Sequence, residues 1–418
     1  MHANFHVSGL LKIKLKNLLK SIDADIVLNL MIFRLHAFTQ FNKEQDVELN
    51  KEIYIHVGPP KTGTSAVQHW LSSTPSFLKE HGIYYPSHSV DINGVSSGNV
   101  RSIYDVDKAK KFTLNKDRLS EMLYAFSVSD YSVLLLSSEF FFRRMDELKA
   151  YIPHAKFIAY VRNPMEIKES NYNQSVKRHF KLEKLNAVRS KRLPNMAKLV
   201  EFTDTYGAQY LYLRLYGDNY FKRGNIVSDL LSVIGIDANV TLPIVNNSYQ
   251  FEALEFKRWF NQFHLVDYQV MVDRALQGFI EGSSHYSLIS KEQYIEDSSY
   301  YACVLENYAK ALKTPNLAPL VADMKNASQK PYFIQALSDN HFLSVCRYLQ
   351  DVLQLDYYIL TKEVRSLAPV QNAHFYHLFI ASCNSKFKYL YLILRGPSQL
   401  RKVVKRLINY TKSLGWPF

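Results

Sequence analysis

Lys51-Glu-Ile-Tyr-Ile-His-Val-Gly-Pro-Pro-Lys-Thr-Gly-Thr-Ser-Ala-Val-Gln-His-Trp-Leu71 is the stretch whose reading decides the fold. Ile53, Ile55 and Val57 alternate with Tyr54 and His56, the period of a strand. Gly58 to Gly63 interrupts that period, and Val67, Trp70 and Leu71 return at helical spacing. A strand, a glycine-bounded turn and a helix leave free backbone N–H groups at the helix N-terminus, a natural seat for an anion. Gly58 and Gly63 have the spacing of the G-x-x-x-x-G-K-[ST] phosphate loop, and Ser65 is in place. The lysine is displaced. Thr64 stands where a nucleotide hydrolase or kinase has it, and Lys61 lies inside the turn. Such enzymes use the lysine after the second glycine on the terminal phosphates. The anion expected here is therefore phosphate-like but not an ordinary nucleoside triphosphate.

Working outward, the chain has 418 residues, enough for one large domain with extensions. With 47% apolar and 21% charged residues it has the composition of a well-cored globular protein. Its three cysteines, Cys303, Cys346 and Cys383, are odd in number and widely spaced, which predicts neither a disulfide framework nor a zinc site and favours a reducing compartment. The net charge of +13 predicts anionic partners without choosing among them. Near the start, Gly9–Lys20 is lysine-broken and the apolar run Ile26–Leu35 contains Arg34, both short of the roughly 20 apolar residues of a membrane span. The expectation is a cytoplasmic protein, with a basic helix able to touch the inner membrane face.

The buried runs Tyr131–Ser137 and Lys156–Val161, and the strand pattern Gln209–Leu215, alternate with helical segments, which predicts an α/β fold with a mainly parallel sheet flanked by helices. Gly82–Pro86 reads as a short strand, and 119–128, 226–234, 251–263 and 291–313 read as helices. Three regions follow: a helical extension over 1–50, the α/β domain over 51–325, and a basic, mostly helical extension over 326–418. Lysine and arginine are frequent from Lys177 to Lys198, with Glu183 as the only acid, and recur from Lys386 to the end with no acid.

Ser137-Ser138-Glu139 closes one strand. Ligands bind at the carboxyl ends of such strands, which places Glu139 for chemistry. Arg162 closes the next, and Asn163, Pro164 and Glu166 form a helix start with a capping box. Asn163, Ile167, Ser170 and Gln174 share one helix face, so Ser170 joins Arg162 around a second anion.

Two anion sites on one parallel sheet resemble the sulfotransferases that use 3′-phosphoadenosine 5′-phosphosulfate (PAPS). In that family the first loop has a P-K-[TSA]-G-T-[ST] core, here Pro60, Lys61, Thr62, Gly63, Thr64 and Ser65, which holds the 5′-phosphosulfate. The second motif is an arginine at a strand end and a serine on the next helix, here Arg162 and Ser170, for the 3′-phosphate. The likeness covers about residues 51–325 and is closest to the bacterial branch related to carbohydrate and heparan sulfate sulfotransferases, through Gly82-Ile-Tyr-Tyr-Pro86, Ser137-Ser-Glu139 and Asn246-Asn-Ser248. It implies a P-loop-containing fold and in-line transfer of a sulfuryl group to an acceptor hydroxyl or amine. PAPS is the implied donor and adenosine 3′,5′-bisphosphate (PAP) the product, with no metal required. Lys61 is the implied cation on the bridging oxygen. Glu139 is the candidate base and His88 the second candidate, while His56 and His69 read as structural. The acceptor expected is a carbohydrate, glycan or glycolipid; nucleic acid is not the expected partner. The rival readings are a P-loop kinase of a small molecule and a non-enzymatic polyanion binder acting through the basic C-terminus.

Overall fold

The computed structural model describes residues 51–88, 98–242, 248–369, 371–384 and 387. The expected 1–50 extension, most of the basic C-terminal tail, and Asn246 and Asn247 lie outside the described residues.

Five strands form one sheet: β1 (Glu52–Gly58), β2 (Ile83–Tyr84), β5 (Val133–Ser137), β6 (Lys156–Val161) and β7 (Leu211–Leu215). Their order is β2-β5-β1-β6-β7, and every pairing is parallel. The sheet is α/β and flanked by helices. β3 (Tyr104–Val106) and β4 (Phe112–Leu114) form a separate antiparallel pair, unforeseen in the sequence.

Side chains alternate across a strand, so the sheet divides its apolar residues between two cores. One face carries Ile55, Val57, Leu134, Leu136, Phe157 and Ala159. It is covered by α3 (Lys116–Ser127), α4 (Met145–Tyr151), α6 (Pro194–Tyr206) and α10 (Lys291–Ala311). The other face carries Tyr54, Leu135, Ile158 and Tyr160 under α1 (Thr64–Ser73), α2 (Pro75–Glu80) and α7 (Ile226–Val233). Because β5 and β6 are buried on both faces, their sequences read as nearly continuous apolar runs rather than as alternation; β1 keeps its alternation because the buried His56 stands in it.

A third core joins α5 (Pro164–Arg178), through Tyr172 and Val176, to α8 (Phe251–Phe260) and α9 (Gln269–Gln277). The same core includes Phe342, Val345 and Leu349 of α12 (Asp339–Leu353), Tyr357 and Leu360 of α13 (Leu355–Arg365), and Phe379 of α14 (Ala373–Ala381). The described helices beyond residue 325 therefore share a core with the segment that precedes them; between the two lies α11 (Ala318–Lys325), packed on the first core.

Several boundaries differ from expectation. The strand at Gly82–Pro86 is only Ile83–Tyr84, and Gln209–Tyr210 belongs to a 3-10 turn, Ala208–Tyr210, before β7. Asn163 does cap α5, accepting from the Met165 N–H at 2.9 Å. Glu166 does not complete a capping box; it turns instead to Arg162, whose Nε donates to it at 2.9 Å. A half-buried guanidinium nearby is a stronger partner for a carboxylate than a backbone amide. Among the described residues no helix is long and apolar enough to cross a membrane.

Candidate functional site

The site is assembled where β5, β1 and β6 end side by side. β1 ends in Gly58 (φ 86°), and the loop turns through Lys61 (φ 70°) to Gly63 (φ 75°) before α1 begins. Left-handed backbone is natural for glycine and costs about 1–2 kcal/mol for lysine, so the loop holds Lys61 in a conformation chosen by its surroundings. The Thr62 hydroxyl braces the turn by donating to the Pro59 carbonyl. The N-terminus of α1 has no side-chain cap and no acid in its first turn, which leaves its amides to an outside anion. Thr64 is 1% exposed, and its hydroxyl has no hydrogen-bond partner. A buried hydroxyl left unpaired is costly, and a ligand oxygen would satisfy it.

Arg162, at the end of β6, reaches directly into this loop. Its Nη1 donates to the Lys61 carbonyl at 3.0 Å, and its guanidinium lies over the Tyr216 ring at 4.7 Å. The Tyr216 amide donates to the Val161 carbonyl at 2.8 Å, continuing the β6–β7 ladder. The same ring closes on Gly63, where an added Cβ would lie 2.8 Å from Tyr216 Cε2 and 2.8 Å from Ile226 Cδ1. Tyr216 thus fills the space between the two motifs, a role that its sequence context did not reveal.

A cleft of about 700 Å³ opens above the strand ends, lined by Lys61, Ser65, Gln68, Glu139, Ser170 and Lys177, among others. Arg162 opens instead onto a neighbouring cleft of about 400 Å³, with Pro59, Thr62 and Lys168. The two meet at Asn171, which lines both. Lys61, Ser65, Glu139 and Ser170 are therefore brought together, and Arg162 joins them through the loop rather than across the cleft. His88 is not among them. It lines a third cleft of about 660 Å³ at the β2 edge, hydrogen-bonded to the Tyr85 hydroxyl at 2.9 Å.

Electrostatics in the main cleft oppose one another. Burial lowers the Lys61 pKa, Glu139 counters that, and Arg178 and Arg162 reinforce it. Burial among the cleft walls raises the Glu139 pKa even though its surface remains open to solvent at the mouth; the Lys61 charge works against the rise. Lys177 is pushed down to about 8, chiefly by burial, and its ammonium lies 4.6 Å from the centre of the Tyr249 ring. Of the basic stretch from Lys177 onward, only Lys177 and Arg178 line this cleft. Lys181 pairs with Glu183, Arg189 with Glu296 and Asp297, and Lys198 with Asp146.

Behind the loop, His56 ties β1 to β5. Its Nδ1 is 2.9 Å from Ser137 Oγ, and the Ser138 amide donates to the His56 carbonyl at 3.1 Å. The ring is fully buried, which lowers its pKa to about 4 and keeps it neutral. This pair fixes the turn that carries Glu139 relative to the loop that carries Lys61.

The arrangement can grip an anion at the loop, place a cation beside it, and present a carboxylate to a second molecule in the same cleft. No protein-family model, curated protein or solved structure matches this chain.

Proposed function

We propose that the protein is a sulfotransferase that moves a sulfuryl group from PAPS to a hydroxyl or amine of an acceptor, with a carbohydrate as the acceptor class. The observation that carries this reading is the hydrogen bond from Arg162 to the Lys61 carbonyl. It joins two anion-binding motifs 101 residues apart into one unit. A kinase reading lacks its lysine after Gly63, and a pure polyanion binder has no use for a buried, unpaired Thr64 hydroxyl beside an uncapped helix end.

The residues present fit the donor. The Thr62–Ser65 turn, with Pro60 and Lys61, would hold its phosphosulfate, and Ser170 in the same cleft its far phosphate, with Arg162 turning from the adjoining cleft to join it where the two meet at Asn171. When bound, the donor supplies a sulfuryl group whose departure leaves charge on the bridging oxygen. Lys61 and the first amides of α1 would be the groups to stabilise that charge, an effect worth most where water is excluded. Glu139 takes the acceptor proton. Its raised pKa suits a carboxylate that must accept a proton rather than remain a spectator. We place the activity in the cytoplasm, with contact to an acidic membrane face through the basic terminal segments.

The direct test is incubation of the protein with sulfur-labelled PAPS and glycan extracts of its own cells. Label recovered in a carbohydrate, and lost with Lys61→Ala, supports the reading. Label that never leaves the nucleotide, under conditions where the protein binds PAP, removes the transferase and leaves only a nucleotide binder.

A further inference from the structure

The β3–β4 pair stands apart from the five-stranded sheet, and its register shows what it carries. Tyr104 pairs with Leu114 and Val106 with Phe112, so these four share one face, with Asp105 and Thr113 on the other. Tyr104 and Leu114 are buried in the first core, and the Tyr104 hydroxyl donates to Glu147 at 2.7 Å. Phe112, at the opposite end of that face, is only half-buried and lines the cleft of about 700 Å³. Its ring centre lies 4.3 Å from that of Phe140, which lines the same cleft. Phe140 is itself fixed: Tyr104 meets its ring edge-on at 5.2 Å, and its N–H donates to the Ser138 hydroxyl at 3.2 Å. It follows Glu139 directly, so the carboxylate and the ring pair open into the cleft from consecutive residues.

The α5 side of the cleft has the opposite character. Asn173, Gln174, Lys177 and Arg178 line it. Asn173 is nine-tenths buried; its side-chain N–H donates to the Tyr286 hydroxyl at 3.3 Å, and its Oδ1 has no hydrogen-bond partner among the described residues. A ligand hydroxyl would satisfy that oxygen. Rings and polar side chains in one cleft match the two characters of a sugar, whose C–H face is apolar and whose edge carries hydroxyls. The C–H groups are drawn to the negative face of an aromatic ring, and the hydroxyls need partners once water is excluded. We infer that Phe112, backed by Phe140, is the platform on which a sugar ring of the acceptor rests, with its hydroxyls turned to Asn173 and its neighbours on α5. The inference rests on the reading of this cleft as the transfer site, and it names the residues that select a sugar over another hydroxyl compound. The platform also accounts for the β3–β4 pair, which holds Phe112 against the turn that carries Glu139.

The test measures label transfer from saturating PAPS to the glycan extract, as a function of extract concentration, together with calorimetric titration by PAP. It is run on the full chain as wild type, as Phe112→Tyr, which keeps the ring, and as Phe112→Leu and Phe112→Met, which keep an apolar side chain without it. The two ringless forms are expected to raise the half-saturating extract concentration by about tenfold with PAP affinity unchanged, and Phe112→Tyr to stay within about twofold of wild type. Thermal unfolding checks each form. A Phe112 that only covers the edge of the core would be replaced well by leucine or methionine, so wild-type half-saturation in those forms overturns the platform. An equal loss in Phe112→Tyr overturns it too, because the ring is then not what counts. Weaker PAP binding in the ringless forms assigns the rings to the nucleotide, and loss of folding in both assigns Phe112 to the core; either result overturns the platform and leaves the transferase reading standing. A wild type that binds PAP but labels no glycan removes the transferase reading, and the inference with it.

Discussion

Replacing Gly63 by alanine probes whether the anion loop is held in shape by the second motif. Gly63 has φ 75°, and its missing Cβ leaves room for Tyr216 and Ile226, each 2.8 Å from where that atom would be. Left-handed backbone costs an alanine about 1–2 kcal/mol. Overpacking against a ring already fixed by Arg162 and the β6–β7 ladder adds about 1–3 kcal/mol. The sum is a loss of about 2–5 kcal/mol. Gly224 and Gly235 provide the comparison, because both have positive φ (72° and 86°) but nothing within 4 Å of an added Cβ. Gly224→Ala and Gly235→Ala should lose only the backbone share. Urea unfolding measures all three, and calorimetric titration with PAP measures the loop. Gly63→Ala should lose more stability than either control and should also lose most of its PAP affinity, because the first amides of α1 move with Gly63. If all three variants lose the same stability and Gly63→Ala keeps wild-type affinity, the packing of Tyr216 on the loop does not shape the site.

Lys61→Ala should reduce turnover by about a hundredfold to a thousandfold, the usual effect of removing one group that stabilises developing charge, with little change in PAP affinity. Arg162→Ala should act mainly on donor binding, weakening PAP by about tenfold to a hundredfold through loss of a charge-assisted contact and of the bond to the loop carbonyl. A kinetic comparison of the two variants that showed the reverse division would exchange their roles. For pH, His56 is the group to follow. Its pKa falls from 6.5 to about 4 on folding, so the unfolded chain binds more protons between those values and stability is lost as pH drops through that window. The loss amounts to about 2 kcal/mol by pH 5 and approaches about 3 kcal/mol below pH 4. Denaturation curves of His56→Gln should be flatter than wild type between pH 7 and pH 5 by that margin, and parallel curves would mean that the ring is not held neutral.

What the sequence could reveal was whatever local pattern encodes. The turn from Gly58 to Gly63, the buried runs of β5 and β6, and the Asn163 cap are all written within a few residues of themselves. Gly235, with φ 86°, ends α7 close to where its position suggests. Long-range partners were not legible. Glu166 looks like half of a capping box until Arg162 is seen to lie within reach, and the charges at Lys181, Arg189 and Lys198 look like a basic surface until their acids are found. Tyr216 sits in an ordinary turn sequence, and only the fold places it between Arg162 and Gly63. The β3–β4 pair escaped because its three-residue strands, Tyr104–Val106 and Phe112–Leu114, are too short for alternation to register. Arg162 and Ser170 share a helix region yet open onto adjoining clefts, because the arginine is drawn to the loop carbonyl.

The measurement closest to the central claim is calorimetric titration of the protein with PAP in the presence of a chelator, set against titration with ATP and magnesium. Binding of PAP that needs no metal, and that weakens in Arg162→Ala, is the result predicted by a donor held between the Lys61 loop and the Arg162–Ser170 helix. Binding of ATP with magnesium, and no binding of PAP under either condition, would contradict it.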